Sequence, residues 1–154
     1  MNYGFIDDET IVKQAKKICD CIGHGMHGTA MQMIIETAVA ETGLGKIEDK
    51  TVGAGMGLTQ FDELPFKDIL KRNMKSRDKI LKELGVDIGL IEWNDLRYNS
   101  YLALLFARLF YWLKGDPIPK TIEERAAYWK LHYNTRLGKG TVEHYLEMNR
   151  KYGV

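Results

Sequence analysis

No run of apolar residues in this chain is long enough to span a bilayer. The most apolar stretch, residues 101–113, is interrupted by Arg108 and reads as a buried helix of a soluble core. Charge of one sign is also missing: 22 basic and 21 acidic side chains leave a net charge of +1. That removes the strong positive field expected of a protein that holds nucleic acid or an anionic membrane. The opening residues, MNYGFIDDETIVKQ, lack the early positive charge and apolar run of a secretory signal. The chain is therefore expected to be made in a cytoplasm without an export tag of its own. Cysteine is scarce: Cys19 and Cys21 stand two apart on an expected helix, do not face each other, and should not form a disulfide.

What is present suits one domain. The 154 residues are 45% hydrophobic and 28% charged, enough for a single core without an internal repeat or linker. The pattern is helical almost throughout. Asp7 or Asp8 caps a first helix running to Ile22, before Gly23. Thr29 to Gln32 has the form of a capping box and opens a second helix that stops near Thr42 and Gly43. Pro65 starts a third helix and Gly85 ends it. From Asn94 or Asp95 to Leu113 the sequence is apolar on every face, which marks the central buried helix. Thr121 to Glu124 opens another helix, to Leu131, and a last one ends near Lys151. Between the second and third helices, five glycines from Gly43 to Gly57 favour turns, with room for one short β-hairpin.

Glu41 is the first candidate for chemistry. It lies in AVAETGLG, at the C-terminal end of an apolar helix. Apolar surroundings and the negative end of the helix dipole both disfavour its charged form, which suits a general acid. A solvated helix-end glutamate is the plainer alternative. Glu36, five residues earlier, points elsewhere and reads as structural or solvent-facing. The segment GAGMGLTQFD then offers a small-residue backbone, Gln60 and Asp62, suited to the amide and hydroxyl groups of a sugar polymer. A structural turn would look similar.

Three short motifs in order resemble one family. Glu41-Thr42-Gly43 followed by Gly57-Leu58-Thr59-Gln60 is similar to the Glu-Ser-x and Gly-Leu-Met-Gln segments of the lysozyme-like lytic transglycosylases and goose-type lysozymes. Tyr133-Asn134, then Leu137-Gly138, Val142 and Tyr145, resembles that family's Ala-Tyr-Asn-Ala-Gly segment and its trailing Val and Tyr. The likeness spans roughly Thr29 to Tyr145. Thr42 stands for the usual serine, Thr59 for the usual methionine, and Arg136 where the third motif has small residues.

The resemblance implies a mainly α, lysozyme-like α+β fold. A helical bundle would surround the central helix, with a small glycine-rich or β-hairpin lobe and a cleft between. It implies cleavage of peptidoglycan glycan strands with Glu41 as the acid, Thr42, Gln60, Tyr133 and Asn134 lining the cleft, and no cofactor or metal. Asp62 and Asp49 are candidates to position a water if the reaction is hydrolytic. A monomeric phage or prophage enzyme, released through a holin or carried in a virion to the periplasmic wall, fits these expectations. A silent lysozyme-like module of an injection machine is the alternative.

Two further features are read as structural. Cys19, Cys21, His24 and His27 are spaced more tightly than structural zinc ligands usually are, and read as two core thiols before a glycine-rich turn. Trp93, Trp112 and Trp129 could stack on sugars, but a tryptophan in a helical domain is more often core, and Trp112 is assigned there.

Overall fold

The structure, a computed structural model, describes residues 2–47, 55–134 and 138–154. It is mainly helical. Seven α-helices occur among the described residues: α1 (Asp8–Ile22), α2 (Ala30–Thr42), α3 (Glu63–Asn73), α4 (Arg77–Leu84), α5 (Ser100–Trp112), α6 (Ile122–Trp129) and α7 (Val142–Tyr152). None of them is long and apolar enough to cross a membrane.

Local chemistry explains most boundaries. The Asp7 carboxylate accepts from the Thr10 amide at 2.6 Å, capping α1, and Asp8 and Glu9 complement the positive end of its dipole. Ile11, Ala15, Ile18 and Cys19 then form the buried stripe that turns α1 onto the core. Asn99 caps α5 through Leu102, and Thr121 caps α6 through Glu124.

Three expected boundaries differ. Thr29 precedes α2 but makes no cap bond, because its hydroxyl donates to the Pro119 carbonyl at 2.9 Å and ties the start of α2 to the entry of α6. The single helix expected from Pro65 to Gly85 is two, joined by a tight turn at Met74–Ser76; Asn73 is buried there, its amide donating to the Ile69 carbonyl. The central helix is also shorter than expected. Glu92 and Asp95 reciprocally cap a separate single turn, Trp93–Leu96, and α5 begins only at Ser100.

The core has two buried helices, not one. α5 packs against α1, α2 and α3 and buries Leu102 through Leu109 on every side. α2 is nearly as enclosed, between α1, α5 and α7. Its one buried carboxylate, Glu36, accepts from Arg125 of α6 through Nε and Nη2, both at 2.8 Å, and from the Tyr145 hydroxyl of α7 at 2.7 Å. Glu36 is therefore structural and locks three helices together. Cys19 and Cys21 are both buried free thiols, and burial pushes Cys19 up to about 11 beside Arg108. Trp129 is core, but Trp112 is not: it is the last residue of α5 and is 45% exposed where the helix emerges at the surface.

Of the expected β-hairpin, the described residues hold one isolated antiparallel bridge, Met56 with Phe61, around a tight turn.

Candidate functional site

Three segments meet beside the end of α2: its last turn, the turn Gly57–Gln60, and a widened turn that continues α6. The first contributes Glu41, half-buried. Thr42 follows it but faces inward. It is 1% exposed; its hydroxyl lies 2.7 Å from the Leu58 carbonyl and accepts from the Gly45 amide at 3.0 Å. Thr42 thus fastens the helix end to the next segment, and its buried hydroxyl is turned away from any substrate, a correction to its expected contact.

The second segment is held close by its backbone. Met56 and Phe61 exchange amide bonds at 2.9 and 3.0 Å, and the Gln60 amide donates to the Gly57 carbonyl at 3.0 Å. Gly57 has φ +75°, and a Cβ there would collide with the Leu96 carbonyl, so only glycine fits. Gln60 also has positive φ, 47°, and its side-chain Nε2 donates back to the Gly57 carbonyl at 2.9 Å. Gln60 is half-buried, and its Oε1 makes no hydrogen bond among the described residues. Thr59 is fully buried, its hydroxyl donating to the Ala103 carbonyl at 3.4 Å. Trp93 Nε1 donates to the Phe61 carbonyl at 2.7 Å, and Asp62 then leads into α3. The Asp62 carboxylate makes no cap bond. It is exposed on one side, yet burial on the other raises its pKa above the ordinary aspartate value.

The third segment was expected to be a loop after Leu131. Instead α6 continues as a π turn, Lys130–Asn134. Such widened turns recur at functional sites. The turn aims Tyr133 inward, and its hydroxyl donates to the Thr59 carbonyl at 2.6 Å. The ring packs on Tyr111 at 5.7 Å, Phe110 at 5.1 Å and Phe61 at 6.0 Å. Asn134 is engaged from within the protein, since its Oδ1 accepts from Lys130 Nζ at 2.8 Å.

Electrostatics shows what gathers here. Burial raises the Tyr133 pKa well above the usual phenol range, the charge of Glu41 raises it further, and that of Asp62 adds to this. Tyr111, also buried, is raised by desolvation and then by Glu41. Glu41 and Asp62 therefore share the surroundings of one phenol. Tyr133 gives its proton to Thr59. The Thr37 hydroxyl lies 2.7 Å from the Met33 carbonyl and 2.9 Å from the Tyr111 hydroxyl, which pairs with it.

The structure thus brings together Glu41, Gln60, Asp62 and Tyr133, and turns Thr42 and the Asn134 amide oxygen inward. Asp49, Arg136 and Leu137 lie outside the described residues. Sequence reasoning missed Tyr111 and Lys130. A tyrosine at the end of an otherwise apolar helix was the available signal, because a buried phenol needs a partner. No protein-family model, characterised protein or solved structure matches this chain.

Proposed function

We propose that the protein cleaves the β-1,4 bond between N-acetylmuramic acid and N-acetylglucosamine in peptidoglycan, with Glu41 protonating the scissile oxygen. One observation carries the reading: the charges of Glu41 and Asp62 both act on the half-buried Tyr133 phenol, where a helix end meets a glycine-built turn. Two carboxyl groups in unlike environments are what glycoside hydrolysis requires. The lysozyme-like fold, with a lobe built on residues 43–62, belongs to the same proposal.

The roles follow from the surroundings. Glu41 is half-buried at the negative end of α2, beside Tyr133, and in this proposal it carries the proton to the leaving oxygen. Asp62 is open to solvent on one side, and its raised pKa makes it a better proton acceptor than an ordinary aspartate. It activates the water in a hydrolytic reaction, and Asp49 is retained as the second candidate. If the sugar's own hydroxyl attacks instead, Glu41 serves as acid and then base, and the aspartates have no chemical part. Gln60 offers its Oε1 to an N-acetyl or hydroxyl group. The protein acts as a monomer, without cofactor, after a holin or a virion brings it to the wall.

Purified sacculi digested by wild type and Glu41→Gln, with products read by mass spectrometry, test this. The variant keeps size but cannot donate the proton, so fragment release should fall by about 10²-fold or more. Reducing-end products mark hydrolysis; products lighter by one water mark 1,6-anhydro transglycosylation. A Glu41→Gln protein as active as wild type refutes the assignment. Sacculi bound by wild type but never cleaved would favour the silent glycan-binding module.

A further inference from the structure

Lys130 opens the π turn that ends in Asn134, and its ammonium faces the chain and not a carboxylate. Nζ donates to Asn134 Oδ1 at 2.8 Å and to the Gly138 carbonyl at 2.9 Å. It forms no ion pair among the described residues. Charge-assisted bonds of this kind are about twice as strong as neutral ones. They span the exit from α6 and bring residue 138 back against residue 134.

The glycines that follow are shaped around the same amide. A Cβ on Gly138 would collide with both the carbonyl and Oδ1 of Asn134. A Cβ on Gly140 would lie 2.5 Å from the Trp129 ring and 2.9 Å from Asn134 Nδ2. The Asn134 side chain is thus enclosed at both ends, by Lys130 and Gly138 at its oxygen and by Gly140 at its nitrogen. The fully buried Trp129 ring backs the enclosure. Tyr133 lies one residue before this clamp and is tied on its other side to the Thr59 carbonyl.

We infer that Lys130 is a positioning residue: through Asn134 and Gly138 it holds Tyr133 in register with Thr59 and Glu41, and the Asn134 amide serves this clamp and not the substrate. The kinetic arm of the test rests on the proposed glycan cleavage, and the exchange arm does not.

Four proteins are compared on sacculi: wild type, Lys130→Met, Asn134→Asp and Asn134→Leu. An aspartate at 134 still accepts from Lys130 but loses the amide N–H, whereas leucine loses both. Lys130→Met and Asn134→Leu should each lower kcat by about 10-fold or more with KM within about twofold, as expected when a site is misplaced and not emptied. Asn134→Asp should stay within about threefold of wild type on the same reasoning. A wild-type kcat for Lys130→Met overturns the inference, and so does an Asn134→Asp protein as slow as Asn134→Leu. If Lys130→Met does not fold, the two Asn134 variants decide, because they leave the lysine in place. If wild type releases nothing from sacculi, the functional reading fails and amide hydrogen exchange judges the clamp. Lys130→Met should then speed exchange at residues 131–134 and 138–140 by about 10-fold or more relative to α2 and α5. Exchange unchanged there overturns the inference.

Discussion

Removing the guanidinium of Arg125 should damage this fold more than removing any surface charge. Arg125 is 7% exposed and Glu36 9%. Nε and Nη2 of Arg125 each donate to a different Glu36 oxygen at 2.8 Å, and Nη1 donates to the Lys120 carbonyl at 2.6 Å. In Arg125→Met the Glu36 carboxylate keeps the Tyr145 hydroxyl at 2.7 Å as its side-chain donor and remains out of water. Breaking a buried pair by deleting one partner costs about 3–5 kcal/mol, since the other charge stays buried uncompensated. For a domain of this size each kcal/mol lowers Tm by roughly 2–4 °C, so a fall of roughly 6–20 °C is expected. Urea and thermal unfolding, followed by circular dichroism, measure it. The double variant Glu36→Gln with Arg125→Met removes both charges and should recover a large part of the loss. A single-variant loss below about 1 kcal/mol would refute the reasoning, because it would place the pair with solvent-screened surface bridges. A double variant no better than the single would show that the loss comes from packing and not from the stranded charge.

The Asp62 and Thr42 expectations are read by similar methods. Burial raises the Asp62 pKa, so the folded protein keeps this proton to higher pH than the unfolded chain does. Its contribution to stability is full below the unfolded value and is lost as pH rises through the folded one. Asp62→Asn should therefore unfold at a higher temperature than wild type at neutral pH, with the difference closing towards about pH 3. An unchanged difference across that range would refute the assignment. Thr42→Val keeps shape but strips a donor from the Leu58 carbonyl and an acceptor from the Gly45 amide, both buried. It should cost roughly 2–4 kcal/mol in urea unfolding, the sum for two stranded buried groups. A loss below about 0.5 kcal/mol would refute the fastening role of Thr42.

Much of the helical layout was legible in the chain, because caps and apolar periodicity are local properties. Asp7 and Thr121 cap through amides three residues on, and α1 shows its buried face as a repeating stripe. Where the reading of local structure failed, a distant group had claimed the residue. Thr29 has the sequence of a cap, but its hydroxyl goes to Pro119, some 90 positions away. Trp112 looks like core by composition and lies at the surface, because the length of α5 and not its pattern decides where the helix emerges.

The candidate site divides in the same way. The sequence by itself determined that a glutamate ends an apolar helix and that a glycine-rich turn with Gln60 and Asp62 follows it. It also determined that a Tyr-Asn pair comes much later, since residue type and spacing are all that these statements need. Tertiary structure alone decided which of these residues meet. Thr42 and Thr59 turn inward because each supplies a bond that ties the Gly57–Gln60 turn to its neighbours. Tyr133 turns towards Thr59 because α6 widens into a π turn and Lys130 closes its exit. The direction of a hydroxyl proton depends on which acceptor folding brings within 3 Å, and the order of residues along the chain does not contain that choice.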